Sequence, residues 1–168
     1  MRIAGTSPAP ILAVDVDGVI SLFGFEEPPD RAPCKFQLID GMAHCISHAA
    51  GERLRRLAPH YEMVWATGWE DRANEYLLHL LGLDRLPVIH FGGDARFGSA
   101  HWKLDPIASY AAGRRLAWID DSLDDECHAW AQSRPEPTLL VPTDPTRGLE
   151  DTQVDLLIEW AGAAHMHG

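Results

Sequence analysis

The chain has 168 residues, 46% of them hydrophobic and 23% charged, which is the composition of an ordinary soluble protein with enough residues to bury a substantial core. Its formal net charge of −11 argues against extended nucleic-acid binding, which usually needs a basic surface, but leaves open the recognition of one phosphorylated end. No apolar run approaches the roughly 20 residues that a transmembrane helix needs, and the first ten residues lack the apolar segment of a secretory signal, so we expect no membrane association.

The cysteines and histidines suggest no disulfide framework and no transition-metal site. Three cysteines, Cys34, Cys45 and Cys127, are an odd number and include no CxxC pair. This pattern predicts free thiols in a reducing cytoplasm. The nine histidines show no HExxH or comparable ligand spacing.

Apart from its two ends, the chain alternates short apolar runs with amphipathic segments. Residues 1–10 contain one glycine and two prolines and predict a flexible leader. Residues 11–163 are predicted to form a single domain, and residues 164–168 a tail. The apolar runs have the pattern of strands buried on both faces: Ile11–Val16, Tyr61–Ala66, Pro87–Phe91, Leu116–Ile119 and Thr138–Val141. Helices are predicted between and after them, at about 48–58, 70–81, 105–113, 122–131 and 150–161. The alternation indicates an α/β fold with a central parallel sheet of about five strands, covered on both faces.

One stretch, residues 21–46, falls outside this alternation and follows the first strand directly. Its first half is rich in proline, whereas Lys35–Ile39 and Met42–Ile46 flank the turn signal Asp40-Gly41. This predicts a β-hairpin flap inserted after strand one.

Polar side chains follow the apolar runs at the points where the predicted strands end. The carboxyl ends of parallel strands gather functional groups at one edge of a sheet. A cluster of carboxylates suits a hard cation, of which magnesium is the usual choice beside phosphate. A hydroxyl, a glycine turn and a lysine suit a phosphate dianion, so the set predicts phosphoryl-transfer chemistry. Its members are Asp15, Asp17, Thr67, Gly68, Lys103, Asp120 and Asp121.

Each member also has a plainer interpretation. Asp15 and Asp17 could form a solvated acidic turn, Thr67 could be a turn residue at a strand end, and Lys103 could be an ordinary surface lysine. The functional interpretation is favoured because the carboxylates and Thr67 come at successive strand ends. Lys103 lies in the connection between strands three and four, just ahead of the predicted helix start at Asp105-Pro106.

The same residues carry a resemblance to a known family. Asp15-Val16-Asp17-Gly18-Val19, then Thr67, Lys103 and Asp120-Asp121, in this order, resemble the motifs of the haloacid dehalogenase (HAD) superfamily over Ile11 to about Ala161. The resemblance implies a three-layer Rossmann-like (HAD-like) fold. With a second aspartate, Asp17, the first motif resembles that of the phosphatase branch of the superfamily. Trp65-Ala66-Thr67-Gly68-Trp69 with Ala73-Asn74 further resembles small bacterial HAD domains, some of whose relatives are fused to RNA and DNA end-repair enzymes.

The resemblance implies roles for the acidic residues. Asp15 would be the nucleophile that forms a phosphoaspartyl intermediate, and Asp17 would be the general acid and then the general base. Mg²⁺ would be held by Asp15, by the backbone carbonyl of Asp17, and by Asp120 or Asp121.

The remaining residues would bind the phosphoryl group. Thr67, with a backbone N–H close by at Gly68, would bind phosphoryl oxygens, and Lys103 would offset the charge of the nucleophile and the phosphate. The function implied is that of a Mg²⁺-dependent phosphomonoester hydrolase. The alternative is a catalytically silent HAD-like module that binds or regulates.

The short insertion bears on the substrate. Superfamily members commonly select substrates with cap domains, and residues 21–46 suffice only for a flap, which resembles the capless type. Such an open site would admit a small phosphate ester, a nucleotide, or the phosphorylated end of a nucleic acid. Four aromatic residues could line its mouth or belong to the core: Phe23, Phe25, Trp69 and Trp102.

Overall fold

The computed structural model describes residues 8–26, 34–93 and 98–163. Most of the predicted leader, at 1–7, and the predicted tail, at 164–168, lie outside the described residues. The strands are β1 (Ile11–Val14), β2 (Ser21–Leu22), β3 (Lys35–Ile39), β4 (Met42–Ile46), β5 (Glu62–Trp65), β6 (Leu116–Asp120) and β7 (Thr138–Pro142). The α-helices are α1 (His48–Leu57), α2 (Asp71–Leu81), α3 (Leu104–Tyr110), α4 (Asp125–Ser133) and α5 (Asp151–Ala163). Within the described ranges, no helix is both long and apolar enough to cross a membrane.

The central sheet has four parallel strands in the order β5-β1-β6-β7. Val14, the last residue of β1, pairs with Trp65 on one side and Ile119 on the other. The three strands therefore end at nearly the same level, so residues that follow them share one edge. The predicted α/β fold with a parallel sheet is confirmed.

Residues on successive positions of β1 enter two separate cores, one on each face of the sheet. Leu12 and Val14 join the larger core, and Ile11 and Ala13 the smaller one. Helices α1, α2 and α5 contribute to the larger core and α3 and α4 to the smaller one. Each large apolar side chain buried in this way contributes about 1.5–3 kcal/mol. This is the three-layer arrangement that the apolar strands predict.

The predicted strand at Pro87–Phe91 is wrong, since only one parallel bridge, Trp65 to Val88, forms there. Proline has no N–H to donate to a neighbouring strand, and side chains form hydrogen bonds with the backbone at Leu86 and Phe91. Asn74 accepts from the Leu86 N–H and donates to the Leu86 carbonyl, and the Glu70 carboxylate accepts from the Phe91 N–H at 2.7 Å. The sheet therefore has four strands rather than five, with an irregular segment along its edge.

The predicted hairpin forms as β3 and β4, joined at Asp40-Gly41, where both residues have positive φ angles, 51° and 78°. This conformation suits a two-residue hairpin turn. The short strand β2 pairs with β4 and makes the insertion a three-stranded antiparallel sheet. The Asp40 carboxylate accepts from Arg72 and Tyr76 of α2, so the turn is held against that helix.

The expectation that all three cysteines are free thiols is wrong for two of them. Cys34 and Cys45 form a disulfide, and among the described residues Cys127 is the free, buried one. The hairpin register brings the pair together, because Cys45 lies opposite Phe36, two residues from Cys34. Counting cysteines without using the hairpin register misses this proximity.

A glycine sets the distance between α1 and α2. A Cβ atom at Gly51 would lie 2.5 Å from the carbonyl oxygen and 2.8 Å from the Cα of Leu81. Both are backbone atoms and cannot rotate away. The chain offers a matched control in Gly162, on α5, where a Cβ would meet nothing within 4 Å.

We predict that Gly51→Ala lowers the free energy of unfolding by about 1–3 kcal/mol, since it forces the helices apart. Gly162→Ala should leave stability unchanged or raise it by up to about 1 kcal/mol, because alanine has the better helix propensity. Urea denaturation of both variants measures the difference. Equal stability of the two variants would contradict this account of the α1–α2 contact.

Candidate active site

A cleft of about 280 Å³ opens at the carboxyl edge of the central sheet. Its lining includes six of the seven polar residues predicted to meet there, all but Thr67. The lining residues are Asp15, Asp17, Phe23, Gly68, Gly98, Ser99, Trp102, Lys103, Asp120, Asp121 and Ser122.

The turn after β1 sets the positions of the first two aspartates. The Asp15 N–H still donates to Ile119 of β6 at 3.1 Å, and the N–H groups of Ile20 and Ser21 then close a tight turn on the Val16 carbonyl. Gly18 has a φ of +78°, and a Cβ there would overlap the Asp121 carboxyl group. Glycine is thus required both by the backbone conformation and by the space.

Lys103 lies at the centre of the site and is only 3% exposed. Its Nζ is 2.7 Å from Asp120 Oδ2, 3.1 Å from Asp15 Oδ1 and 2.9 Å from the Ala66 carbonyl oxygen. Three acceptors match the three protons of an ammonium group. Burial opposes the charge on Lys103, but the attraction of Asp15 and Asp120 outweighs it, and the pKa of the lysine is raised. The plainer interpretation of Lys103 as a surface lysine is wrong.

Three carboxylates face this one ammonium group. Asp15, Asp120 and Asp121 each offer an oxygen, and these oxygens lie within 4.8 Å of one another. Burial raises the pKa of Asp15, with the charges of Asp120 and Asp17 adding to the effect and Lys103 opposing it. Burial, together with the charge of Asp120, also raises the pKa of Asp121. The cluster therefore has an excess of negative charge and oxygen donors, a combination that fits a hard divalent cation.

The two consecutive aspartates differ in how many of their oxygens already have partners. Asp120 accepts from Lys103 at one oxygen and from the Ser122 N–H, at 2.9 Å, at the other. Asp121 accepts from the Ser122 hydroxyl, at 3.2 Å, at Oδ1, and Lys103 is paired with Asp15 and Asp120 rather than with Asp121. Asp121 thus has the freer carboxylate.

Asp17 lies on the cleft wall and is held by a tryptophan. The Trp69 indole Nε1 donates to Asp17 Oδ1 at 3.2 Å. Trp69 is 6% exposed and packs beneath the hairpin, so it does not line the mouth of the cleft. Of the four aromatic candidates, Phe23 and Trp102 line the cleft, and Phe25 and Trp69 do not.

Thr67 is fully buried and does not line the cleft. Its Oγ1 accepts from the Trp69 backbone N–H at 3.1 Å, which is the pattern of a turn after a strand. In the described residues, no acceptor takes its hydroxyl proton. The structure therefore brings Gly68 to the cleft and places the Thr67 hydroxyl just beneath it.

Ser122, and the contact between Trp69 and Asp17, are features of the site that the sequence did not predict. An aspartate side chain commonly accepts from the backbone N–H two residues further on. The contact of Ser122 with Asp120 could therefore have been predicted from the sequence. The contact of Trp69 with Asp17 spans 52 residues and has no local signature.

A model of a known protein family matches most of the chain. Residues 11–154 match the family model described as "HAD domain in Swiss Army Knife RNA repair proteins". Among solved structures, the chain resembles one described as a HAD superfamily (subfamily III A) hydrolase from Legionella pneumophila, with 15% identity, 95% of this chain and 91% of that chain covered, and a TM-score of 0.49. No curated protein matches the chain. The family model spans nearly all of the described residues, and the chain therefore belongs to the family of HAD domains found in Swiss Army Knife RNA repair proteins.

Proposed function

We propose that this HAD-family protein is a Mg²⁺-dependent phosphomonoester hydrolase that works through a phosphoaspartyl intermediate. One observation carries the proposal: the buried carboxylate of Asp15 lies at the cleft, 3.1 Å from the ammonium group of Lys103, with a second carboxylate, Asp17, two residues away. A nucleophile, a charge partner and a proton donor thus share one cleft.

The proposed reaction has two steps. Asp15 attacks phosphorus, its oxygen forms a bond to the phosphoryl group, and the ester oxygen leaves with the bonding electron pair and takes a proton from Asp17. Water then attacks the phosphoaspartyl group, gives a proton to Asp17 and releases inorganic phosphate from Asp15. Atoms and protons balance over the two steps, and Asp15 and Asp17 return to their starting states.

The buried lysine has a defined part in this scheme. Its contact with Asp15 favours the ionised carboxylate against the effect of burial, and its contacts with Asp120 and the Ala66 carbonyl hold the ammonium group in place. The phosphoryl group would contact the Gly68 turn at the carboxyl end of β5. Thr67, which is fully buried, would support this turn by accepting from the Trp69 backbone N–H.

The metal proposed is Mg²⁺, held by Asp15, the Asp17 backbone carbonyl and Asp121. Asp121 is favoured over Asp120 because both oxygens of Asp120 already accept hydrogen bonds. When bound, a divalent cation offsets the repulsion between a dianionic ester and an anionic nucleophile. The excess of carboxylates over ammonium groups at the cleft supports this proposal.

The substrate class that we propose is the phosphorylated end of a nucleic acid. The family model is described for RNA repair proteins, and Phe23, 47% exposed, lines the cleft, where a terminal base could stack on it. The net charge of −11 favours contacts limited to one end rather than a long backbone.

Two further expectations concern a catalytically silent protein and a cytoplasmic location. The catalytically silent alternative gains no support, because each acidic position that the chemistry needs is filled. A cytoplasmic location loses part of its basis, because it assumed free thiols and Cys34 and Cys45 are paired.

We predict that wild-type protein hydrolyses an aryl phosphate in Mg²⁺ and that Asp15→Asn lowers kcat by at least about 10³-fold, since an amide is not a nucleophile toward phosphorus. Asp84→Asn, an equal change at an exposed aspartate away from the cleft, should have no effect. Release of inorganic phosphate measures both. Equal turnover in wild type and Asp15→Asn would refute the mechanism.

We predict that EDTA abolishes activity, that Mg²⁺ restores it, and that Asp121→Asn raises the Mg²⁺ concentration for half-maximal activity by about tenfold or more. In wild type, Mg²⁺ should also raise Tm, because it binds the folded state alone. Activity in EDTA equal to that in Mg²⁺ would contradict a metal requirement.

We predict that kcat/KM is higher for 3′- or 5′-phosphorylated oligonucleotides than for sugar phosphates, and that Phe23→Ala raises KM for the oligonucleotide by about fivefold or more, in line with about 1–3 kcal/mol per stacked base. The sugar phosphates serve as the control, since they have no base to stack. Equal values for both classes would point to small phosphate esters instead. Inertness of the whole panel would favour the silent module.

A further inference from the structure

We infer that Trp69 is a positioning residue for Asp17, and that the inserted hairpin acts through it as a brace for the proton donor. The inference rests on the proposed function, since it assigns Trp69 a role in the first step of that reaction. It is carried by the contacts of one buried tryptophan with the cleft on one side and the hairpin on the other.

Trp69 is joined to two of the residues of the proposed site. Its indole Nε1 donates to Asp17 Oδ1 at 3.2 Å, and its backbone N–H donates to Thr67 Oγ1 at 3.1 Å. Any displacement of Trp69 would therefore move the hydrogen-bond partners of both Asp17 and Thr67.

The direction of the indole hydrogen bond has a chemical consequence. An indole N–H donates and cannot accept, so Asp17 Oδ1 is held as an acceptor. The proton that Asp17 gives to the leaving oxygen is then carried on Oδ2. A carboxyl group with one oxygen fixed has one remaining oxygen for proton transfer, and Trp69 selects which one.

The hairpin holds the Trp69 ring in place. His44 of β4 lies against it edge-on, with ring centroids 4.8 Å apart, and the Arg72 guanidinium lies 5.3 Å from its centroid. Arg72 is itself bound to Asp40 at the hairpin turn, at 2.7 Å. Ser21 of β2 contacts His44 Nδ1 at 3.2 Å, so both the base and the turn of the insertion converge on Trp69.

The test uses the leaving group. An ester with a poor leaving group, such as an alkyl phosphate, needs a proton from Asp17 as its P–O bond breaks, whereas a nitrophenyl phosphate needs it far less. A positioning role predicts that Trp69→Phe lowers kcat for the alkyl ester at least about tenfold more than for the nitrophenyl ester. A purely structural role predicts one common factor for both.

Trp65 provides a matched control four positions away. Its indole N–H donates to the buried Asn74 side chain at 2.9 Å, away from the cleft. Trp65→Phe should lower Tm and change both esters by the same factor. In an Asp17→Asn background, adding Trp69→Phe should change alkyl ester turnover by less than about twofold, since the group that it positions is gone.

A second readout does not depend on activity. In ¹⁵N-labelled protein, Asp17→Asn should shift the Trp69 indole N–H resonance, because the group that accepts from the indole changes from a carboxyl group to an amide, and should leave that of Trp65 in place. An unchanged Trp69 resonance, or equal losses on both esters in Trp69→Phe, would overturn the inference. If wild type turned over neither ester while the resonance shifted, the contact would stand, and both the proposed function and the positioning role would fall.

Discussion

The site depends on one buried ammonium group. Lys103 Nζ bonds to a side chain that follows β1, to a side chain at the end of β6, and to the backbone that follows β5. These three strands are neighbours in the sheet, and their common register brings Asp15, Asp120 and Ala66 to one level. An unpaired buried charge is costly, so Lys103 can be buried only where all three acceptors meet. The sheet register and the lysine position thus depend on each other.

Unlike Lys103, the carboxylates of the cleft have too few partners of opposite charge. Asp15, Asp120 and Asp121 lie close together with one lysine between them, and burial raises the pKa values of Asp15 and Asp121. Such a cluster costs stability, which the two apolar cores on either side of the sheet offset. Ser122 reduces the cost by donating its backbone N–H to Asp120 and its hydroxyl to Asp121. The arrangement is consistent with the proposed binding of a cation and a phosphate and contributes nothing evident to folding.

Much of this could be predicted from the sequence because the relevant signals are local. Buried strands are continuous apolar runs, and residues that follow parallel strands meet at one edge, so the places of Asp15, Asp17 and Asp120-Asp121 followed from the pattern alone. The strand at Pro87–Phe91 could not be rejected in this way, because residues distant in sequence bind the backbone around it: Asn74 at Leu86, just before the segment, and Glu70 at Phe91. The Cys34–Cys45 disulfide required hairpin register rather than a cysteine count. The contact of Trp69 with Asp17 arises from tertiary packing, which neither the hydrophobic periodicity nor the spacing of the motifs indicates.

The inserted hairpin has a different structural role from that of a cap domain. In the described residues, its turn is bound to α2 through Asp40, and His44 packs on Trp69, so these contacts lead through Trp69 to Asp17. Phe23, which does line the cleft, belongs to the chain that enters the insertion and is followed by Gly24, with a φ of +83°. A hairpin of this size cannot enclose a substrate, but it can fix one carboxylate oxygen by holding one indole ring. A carboxylate held in this way, beside a cleft that the exposed Phe23 lines, suits the proposed hydrolysis of a phosphate at the end of a nucleic acid.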